Sequence, residues 1–288
     1  MPSEKSCSKT TNYLLIAIIS TSLILVILYG FFIEPCQVRL KTVEVHNKAL
    51  ALTFKELKIV LLSDLHIGNS WSTPVKQTLE IVSKLNPDLI FLTGDYVDWK
   101  GGNEAYDNAI TFLSHLSAPL GVYAVMGDSG YHFSRRSCEF CHESGSALPT
   151  TRHQVKFLRN TEVNVNFKAN NFSIIGLDTD SRDKPDLNLI NNMRTGNPTI
   201  VLSHFSSVYN NINKEEDVLV LSGDTHGGQI YLPGIIWKII GRKPDPAHMY
   251  GLFQDRNKSL YVTSGIGTSD ISFRLGMPPE VVLFEFKE

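Results

Sequence analysis

Seven side chains of metal-ligand type recur in this 288-residue chain, in the order Asp64-Leu-His66, Gly94-Asp95, Gly127-Asp128, Ser203-His204 and Gly223-Asp224-Thr-His226. A lone Asp-x-His or Gly-Asp serves equally well as a helix cap or a turn. Five such junctions, each at the end of an apolar run, point instead to one shared centre. Carboxylate and imidazole together suit Mn²⁺, Fe, Zn²⁺ or Mg²⁺. A carboxylate shared by two such ions would hold them about 3.5–4 Å apart, as two-metal hydrolysis requires.

The elements that must position these groups are short. Lys58 to Ser63, Asp88 to Thr93, Gly121 to Met126, Thr199 to Leu202 and Asp217 to Ser222 read as buried strands. The candidate ligands follow their carboxyl ends, where α/β sheets collect their sites. Glycine ahead of Asp95, Asp128 and Asp224 lets the backbone turn tightly towards a ligand. Apolar spacing predicts a helix over Pro74 to Leu85, capped by Thr73 and stopped by Asn86-Pro87, and a second over Asn103 to Leu116. A short third is expected over Asp186 to Met193, after the polar loop 178–183. Val38 to Leu52 alternates loosely and is expected to open the domain as a strand pair.

With these motifs the chain resembles the calcineurin-like metallophosphoesterases, whose pattern is Asp-x-His, Gly-Asp-x-x-Asp, Gly-Asn-His-Asp/Glu, His and Gly-His-x-His. The resemblance covers roughly Lys58 to Glu288. It implies an α/β fold, a four-layer α/β/β/α sandwich of two mixed sheets with two metals at the strand ends. By position, Asp64, His66 and His226 would hold the first metal and Asp95 would bridge; Asp95, Asp128, His204 and Asp224 would hold the second. The stretches Thr225 to Pro233, Leu260 to Thr268 and Pro278 to Val281 resemble the membrane-anchored bacterial branch. That branch includes lipid-directed phosphodiesterases and a pyrophosphatase acting on UDP-2,3-diacylglucosamine in lipid A synthesis.

Three departures from the pattern carry consequences. Asp128 stands where the family has Asn, Ser129 where it has His, and Asp224 where it has the first His of Gly-His-x-His. The carboxylates make the second site harder, which favours Mn²⁺ or Mg²⁺ over Zn²⁺ there. Asp64, Asp95, Asp128 and Asp224 would balance two divalent ions, so bridging water is less acidified and phosphate less strongly attracted. Ser129 replaces the residue expected to contact phosphate or protonate a leaving group, and such general-acid help is typically worth about 10²–10⁴ in rate. A phosphate leaving group, with a second pKa of about 6, needs little of it. Cleavage of a phosphoanhydride is therefore expected in preference to a simple ester.

The loop 129–160 follows the third strand and is expected to act as a substrate lid. In it, His132 is a stand-in for the missing imidazole, and Arg135, Arg136 and Arg152 are candidates for bidentate phosphate contacts. Cys138-x-x-Cys141-His142 has the form of a c-type haem attachment site. A loop-stapling pair, or a small Zn²⁺ site with His142 or His153, fits its surroundings better. Gly234 to Lys243, with Ile235, Ile236 and Trp237, reads either as core or as a segment dipping into a bilayer surface.

Residues 13–33 carry no charge and are long enough to cross a bilayer core of about 30 Å, after a short tail 1–12. Tyr13, Tyr29, Phe31 and Phe32 suit its two interfaces. A single-pass anchor in the inner (plasma) membrane is expected, then a linker with opening strands over 34–57 and one catalytic domain over 58–288. Lys5 and Lys9 on one side nearly balance Arg39, Lys41 and Lys48 on the other, leaning slightly to a cytoplasmic catalytic domain. A formal charge of −2 gives no sign of nucleic-acid binding.

The expected function is that of a two-metal phosphohydrolase, Mn²⁺-dependent foremost, with Mg²⁺, Fe or Zn²⁺ as other fits. Its partners are the membrane and a lipid or nucleotide-lipid substrate such as UDP-2,3-diacylglucosamine, cleaved to UMP and 2,3-diacylglucosamine 1-phosphate. A broad phosphodiesterase acting on phospholipid or cell-wall phosphate is the enzymatic alternative. A non-catalytic, metal-containing phospholipid-binding module is the alternative from another class.

Overall fold

The computed structural model describes residues 4–98, 100–128, 140–142, 148–168, 170–178, 185–194, 196–231, 248–269 and 271–288, with side chains from Asn12 onward. In chain order the elements are α1 (Glu4–Phe32), β1 (Arg39–His46), α2 (Lys48–Phe54), β2 (Ile59–Leu62), α3 (Thr73–Leu85), β3 (Leu89–Leu92), α4 (Asn103–Ser114) and β4 (Val122–Ala124). They continue with β5 (Lys156–Phe157), β6 (Thr161–Phe167), β7 (Asn170–Gly176), α5 (Leu187–Asn191), β8 (Thr199–Leu202), β9 (Val218–Ser222), β10 (Gly251–Asp255), β11 (Lys258–Val262) and β12 (Glu280–Lys287).

The strands form two mixed six-stranded sheets, ordered β1-β12-β2-β3-β4-β5 and β10-β11-β9-β8-β7-β6. In the first, β2, β3, β4 and β5 are parallel, while β12 lies antiparallel to β2 and parallel to β1. In the second, β7, β8, β9 and β11 are parallel, flanked by antiparallel β6 and β10. Strands β2, β3, β8 and β9 are buried along their whole length, as parallel strands covered on both faces must be.

Because alternate residues of a strand face opposite sides, each strand divides between two cores. Ile59, Leu61 and Phe91 of the first sheet meet Ile174, Leu202 and Leu221 of the second in a core between the sheets. Val60, Leu62, Ile90 and Leu92 face outward onto Val75 and Val82 of α3 and Phe112 and Leu113 of α4. Val201, Val218 and Val220 pack outward against Ile190 of α5 and Tyr209. Three cores make four layers, helix, sheet, sheet, helix, as expected.

Several local expectations are corrected. The stretch Val38 to Leu52 is not a strand pair: β1 finds its partner in the C-terminal β12, and Asn47 then caps α2 by accepting from Leu50 N–H at 2.8 Å. Thr73 lies inside α3; Ser72 holds the N-cap position with no side-chain bond, and Pro74 occupies the first turn. Asn86 ends that helix in the left-handed region. The loop 129–160 is not a lid at its carboxyl end. Val155 and Leu158 are buried and β5 pairs with β4 at the edge of the first sheet.

A buried carboxylate joins the two sheets. Glu280, at the start of β12, accepts from Tyr261 Oη (2.8 Å), Thr263 Oγ1 (2.9 Å), Ser264 N (3.1 Å) and Tyr250 Oη (2.9 Å), and Lys41 Nζ donates to Tyr250 Oη (2.7 Å). Removing the acceptor strands several buried donors at once. Glu280→Ala is expected to lower unfolding stability by about 3 kcal/mol, seen as a lower denaturation midpoint in urea.

Candidate metal centre

Five parallel strands, three of the first sheet and two of the second, end at one crevice and deliver the candidate ligands there. Asp64 and His66 follow β2, Asp95 follows β3, Asp128 follows β4, His204 follows β8, and Asp224 and His226 follow β9. Backbone bonds lace the loops together: Asp64 N–H to Gly94 O (3.0 Å), His66 N–H to Asp95 O (3.0 Å) and Gly223 N–H to His204 O (3.1 Å). Asp64, His66, Asp95, Asp224 and His226 all adopt positive φ, between 42° and 71°. Such backbone is uncommon for residues with a side chain and clusters where function requires it. Gly127 shows why a small residue precedes Asp128. A Cβ there would stand 1.9 Å from Asp95 Oδ1.

The seven groups fall into sets within ligand reach of one another: Asp64, His66 and His226; Asp64, Asp95 and His204; Asp128, His204 and Asp224. Asp95 faces both ways. Its Oδ2 lies 3.6 Å from His66 Nε2, and its Oδ1 lies 3.6 Å from His204 Nε2. His204 Nε2 is also 3.6 Å from Asp128 Oδ1 and 3.8 Å from Asp224 Oδ1. His226 Nε2 stands 3.7 Å from Asp64 Oδ1 and 3.0 Å from His66 Nε2. Two imidazole nitrogens this close repel unless a proton or a cation lies between them.

The donor set fits divalent ions on further grounds. His204 Nδ1 is 2.8 Å from the Thr93 carbonyl, which can only accept, so Nδ1 carries a proton and Nε2 is directed at the carboxylates. Buried His204 Nε2 and Asp64 Oδ2 have no hydrogen-bond partner among the described residues. Buried polar atoms are rarely left so without a ligand to meet them. The second set is the more open, since the side chains of Asp128 and Asp224 are 46% and 33% exposed while that of His204 is fully buried.

Electrostatics bear the mark of crowded like charges. Burial pushes Asp64 upward, with Asp95 adding to the rise, and burial likewise pushes Asp224 up to about 6, helped by Asp64, Asp128 and Asp95. Burial opposes charge on His204, but the carboxylates of Asp95, Asp128, Asp64 and Asp224 outweigh it and raise the ring to about 10. His226 is held well below its ordinary value by burial and by the neighbouring His66 and Arg274.

Arg274 was not singled out from the sequence. It is fully buried, donates from Nη2 to Ser264 O (2.8 Å) and Gly267 O (2.5 Å) and from Nη1 to Met277 O (2.8 Å), and places Nη2 3.4 Å from His226 Nδ1. Neither a motif nor a periodic pattern marks it; that it is the one basic residue between Lys258 and Lys287 is the only signal in the sequence.

Arg152, one of the candidates for phosphate contact, is not brought to this crevice. It is half exposed and bonds Asp107 of α4 through Nη2 at 3.0 Å, so the structure gives it a surface partner. Cys141 is disulfide-bonded, which favours the loop-stapling reading over haem attachment or a thiolate Zn²⁺ site. Ser129, His132, Arg135, Arg136, Cys138 and the segment Gly234 to Lys243 lie outside the described residues.

A proton count tests the donor set. With its pKa raised to about 10, His204 holds a proton at pH 8 that an ion must displace, whereas Asp224, at about 6, is already ionised. Titration of metal-free protein with Mn²⁺ in buffers of different ionisation enthalpy is expected to show release of about one proton at pH 8. At pH 6 the count rises as Asp224 contributes; no release at pH 8 would contradict a role for His204.

The family model for calcineurin-like phosphoesterase matches residues 57–228. The uncharacterized metallophosphoesterase YkoQ of Bacillus subtilis is 27% identical over 86% of this chain and 90% of its own length. The uncharacterized metallophosphoesterase Cj0846 of Campylobacter jejuni is 28% identical over 97% of this chain and 72% of its own. The UDP-2,3-diacylglucosamine pyrophosphatase LpxG of Chlamydia trachomatis is 27% identical over 79% of this chain and 82% of its own. A crevice built from both sheets and a match that runs through all five ligand-bearing junctions lead to one conclusion: the chain belongs to the calcineurin-like phosphoesterases and is a metal-dependent phosphohydrolase.

Proposed function

We propose that the chain is a membrane-anchored two-metal pyrophosphatase acting on a lipid-linked nucleotide sugar, with UDP-2,3-diacylglucosamine as the substrate of choice and UMP and 2,3-diacylglucosamine 1-phosphate as products. The observation that carries the two-metal reading is Asp95, whose two oxygens face His66 on one side and His204 on the other. Asp64, His66 and His226 would complete one site, and Asp128, His204 and Asp224 the other. Divalent ions there would act as Lewis acids on phosphate and lower the pKa of water. Three carboxylates on the second ion favour Mn²⁺.

The chain's own residues then shape which bond breaks. Four carboxylates leave the centre less cationic than a site with Asn and His at positions 128 and 224, so phosphate is less tightly held. Ser129 cannot protonate a leaving alkoxide as an imidazole would, and UMP leaves as a phosphate without such help. LpxG of Chlamydia trachomatis, a relative whose name states an activity, is a UDP-2,3-diacylglucosamine pyrophosphatase, which supports this choice. One helix is long and apolar enough to cross a membrane, over Asn12–Cys36, which supports anchoring beside a lipid substrate. A UDP-linked substrate places the catalytic domain on the cytoplasmic side.

One observation favours a second reading. The disulfide at Cys141 is at home in an oxidising compartment, where the catalytic domain would instead meet phospholipid or cell-wall phosphate as a broad phosphodiesterase.

Mn²⁺-dependent release of UMP from UDP-2,3-diacylglucosamine in detergent, measured beside cleavage of bis-(p-nitrophenyl) phosphate, separates the readings. UMP release is expected to dominate, and Asp95→Ala is expected to lower it by more than the roughly 10–100-fold typical of an outer-shell change. Diester cleavage alone would move the assignment to the phosphodiesterase. Bound metal with no turnover on either would favour a phospholipid-binding module.

A further inference from the structure

The end of α1 is not tethered to the catalytic domain by a loose linker. Gly30 O accepts from Arg274 N–H at 2.9 Å, Glu34 Oε2 accepts from Gly276 N–H at 2.9 Å, and Phe31 meets Phe273 edge-on with centroids 4.8 Å apart. A Cβ on Gly30 would stand 2.3 Å from Phe273, so the helix approaches this strap as closely as a backbone can. From the strap, Leu275 pairs with the stretch after His226, through Leu275 N–H to Gln229 O (2.9 Å) and Tyr231 N–H to Leu275 O (2.8 Å). One continuous piece of structure thus joins the anchor to the ligand-bearing loop.

Strand direction fixes which end of the domain this is. β1 is parallel to β12 and β12 antiparallel to β2, so β1 begins where β2 ends. Arg39, the first residue of β1, pairs with Glu280, whose N–H reaches Gly265 O, and Gly265 lies against the Asp64 side chain. The anchor therefore enters the fold at the metal-ligating end of both sheets.

Around that entry several apolar side chains are exposed. Phe32 and Ile33 are 71% and 46% exposed at the end of the anchor, Ile230 and Tyr231 are 40% and 58% exposed beside the strap, and Ile271 is 59% exposed on the strap itself. A helix crossing a bilayer brings lipid to everything around its end, and aromatic and aliphatic side chains at that height lie in the interface. We infer that Phe32, Ile33, Ile230, Tyr231 and Ile271 form one collar seated in the membrane, which holds the ligand-bearing crevice at head-group height. This rests on α1 being a membrane anchor and deepens the proposed function: the substrate class is a phosphate borne by a lipid that stays in the bilayer during cleavage, in place of a soluble nucleotide.

The test uses the full chain in vesicles of phosphatidylethanolamine and phosphatidylglycerol, with a benzophenone-bearing amino acid placed at Tyr231, at Ile271 or at Leu52. Leu52 is equally exposed but follows the far end of β1, roughly 26 Å along the strand. Lipid adducts at 231 and 271 and none at 52 are expected by mass spectrometry after illumination. Absence of adducts at 231 and 271, or equal labelling at 52, overturns the collar. This readout needs no turnover, so it decides the collar even if UDP-2,3-diacylglucosamine proves not to be cleaved. In the second arm, Tyr231→Ser combined with Ile271→Ser is expected to lower cleavage of a lipid-borne phosphate in vesicles by about tenfold and leave bis-(p-nitrophenyl) phosphate cleavage in solution unchanged. Equal loss on both would show a structural role and overturn the inference.

Discussion

Four carboxylates and three imidazoles meet at the ends of two sheets, and most of their ligand atoms are out of water. Such a concentration of acceptors is unfavourable by itself. Asp64 and His204 are fully buried, each leaves an atom without a hydrogen bond among the described residues, and five of the seven residues have left-handed backbone. The rest of the fold can be understood as what makes this arrangement tolerable. Parallel strands buried on both faces supply rigid ends, three apolar cores fix the two sheets against each other, and the loop backbones bond across the crevice so that no ligand moves alone.

The charges that do not touch the centre follow the same logic. Arg274 lies fully buried beside the crevice, and it sits against a histidine that burial already keeps neutral. Burial lowers its own pKa to about 10, with Asp64, Glu280 and Glu34 pulling the other way, so it stays charged at neutral pH. Its carbonyl partners hold the strap that receives the anchor. Glu280, a short distance along the chain, gathers hydroxyl donors from β11 and beyond and ties the second sheet to β12 of the first.

How much of this was legible in the sequence depends on distance along the chain. Asp64, Asp95, Asp128, His204 and Asp224 announce themselves because each follows an apolar run by one or two residues, a local signal. The three-residue β4 and the four-residue β8 were readable for the same reason. The strand pair expected over Val38 to Leu52 failed because the partner of β1 is some 240 residues away (Arg39 with Glu280), and the alternation that marked one strand could not say where the other lay. Thr73 looked like a cap because threonine is a good one, but Pro74 sets the first turn and moves the boundary back to Ser72. Arg274 was invisible because an isolated charge reads as solvated surface until long-range contacts bury it, and Glu280 stood out only as part of the stretch Pro278 to Val281, with no sign of the donors it gathers.

The place of β12 has a consequence for biosynthesis. It is made more than 200 residues after β1 and β2, yet it lies between them in the first sheet. Until β12 has left the ribosome, β1 has no partner and β2 exposes one open edge, although both strands emerged long before. The domain therefore cannot close vectorially behind its own synthesis; the eight residues of β12 must enter a slot between two strands made long before, and this slow non-local pairing comes late. For much of its translation the nascent chain carries two unpaired strand edges, which makes this interval, more than any property of the finished fold, the time at which a chaperone or the nearby membrane surface has something to shield.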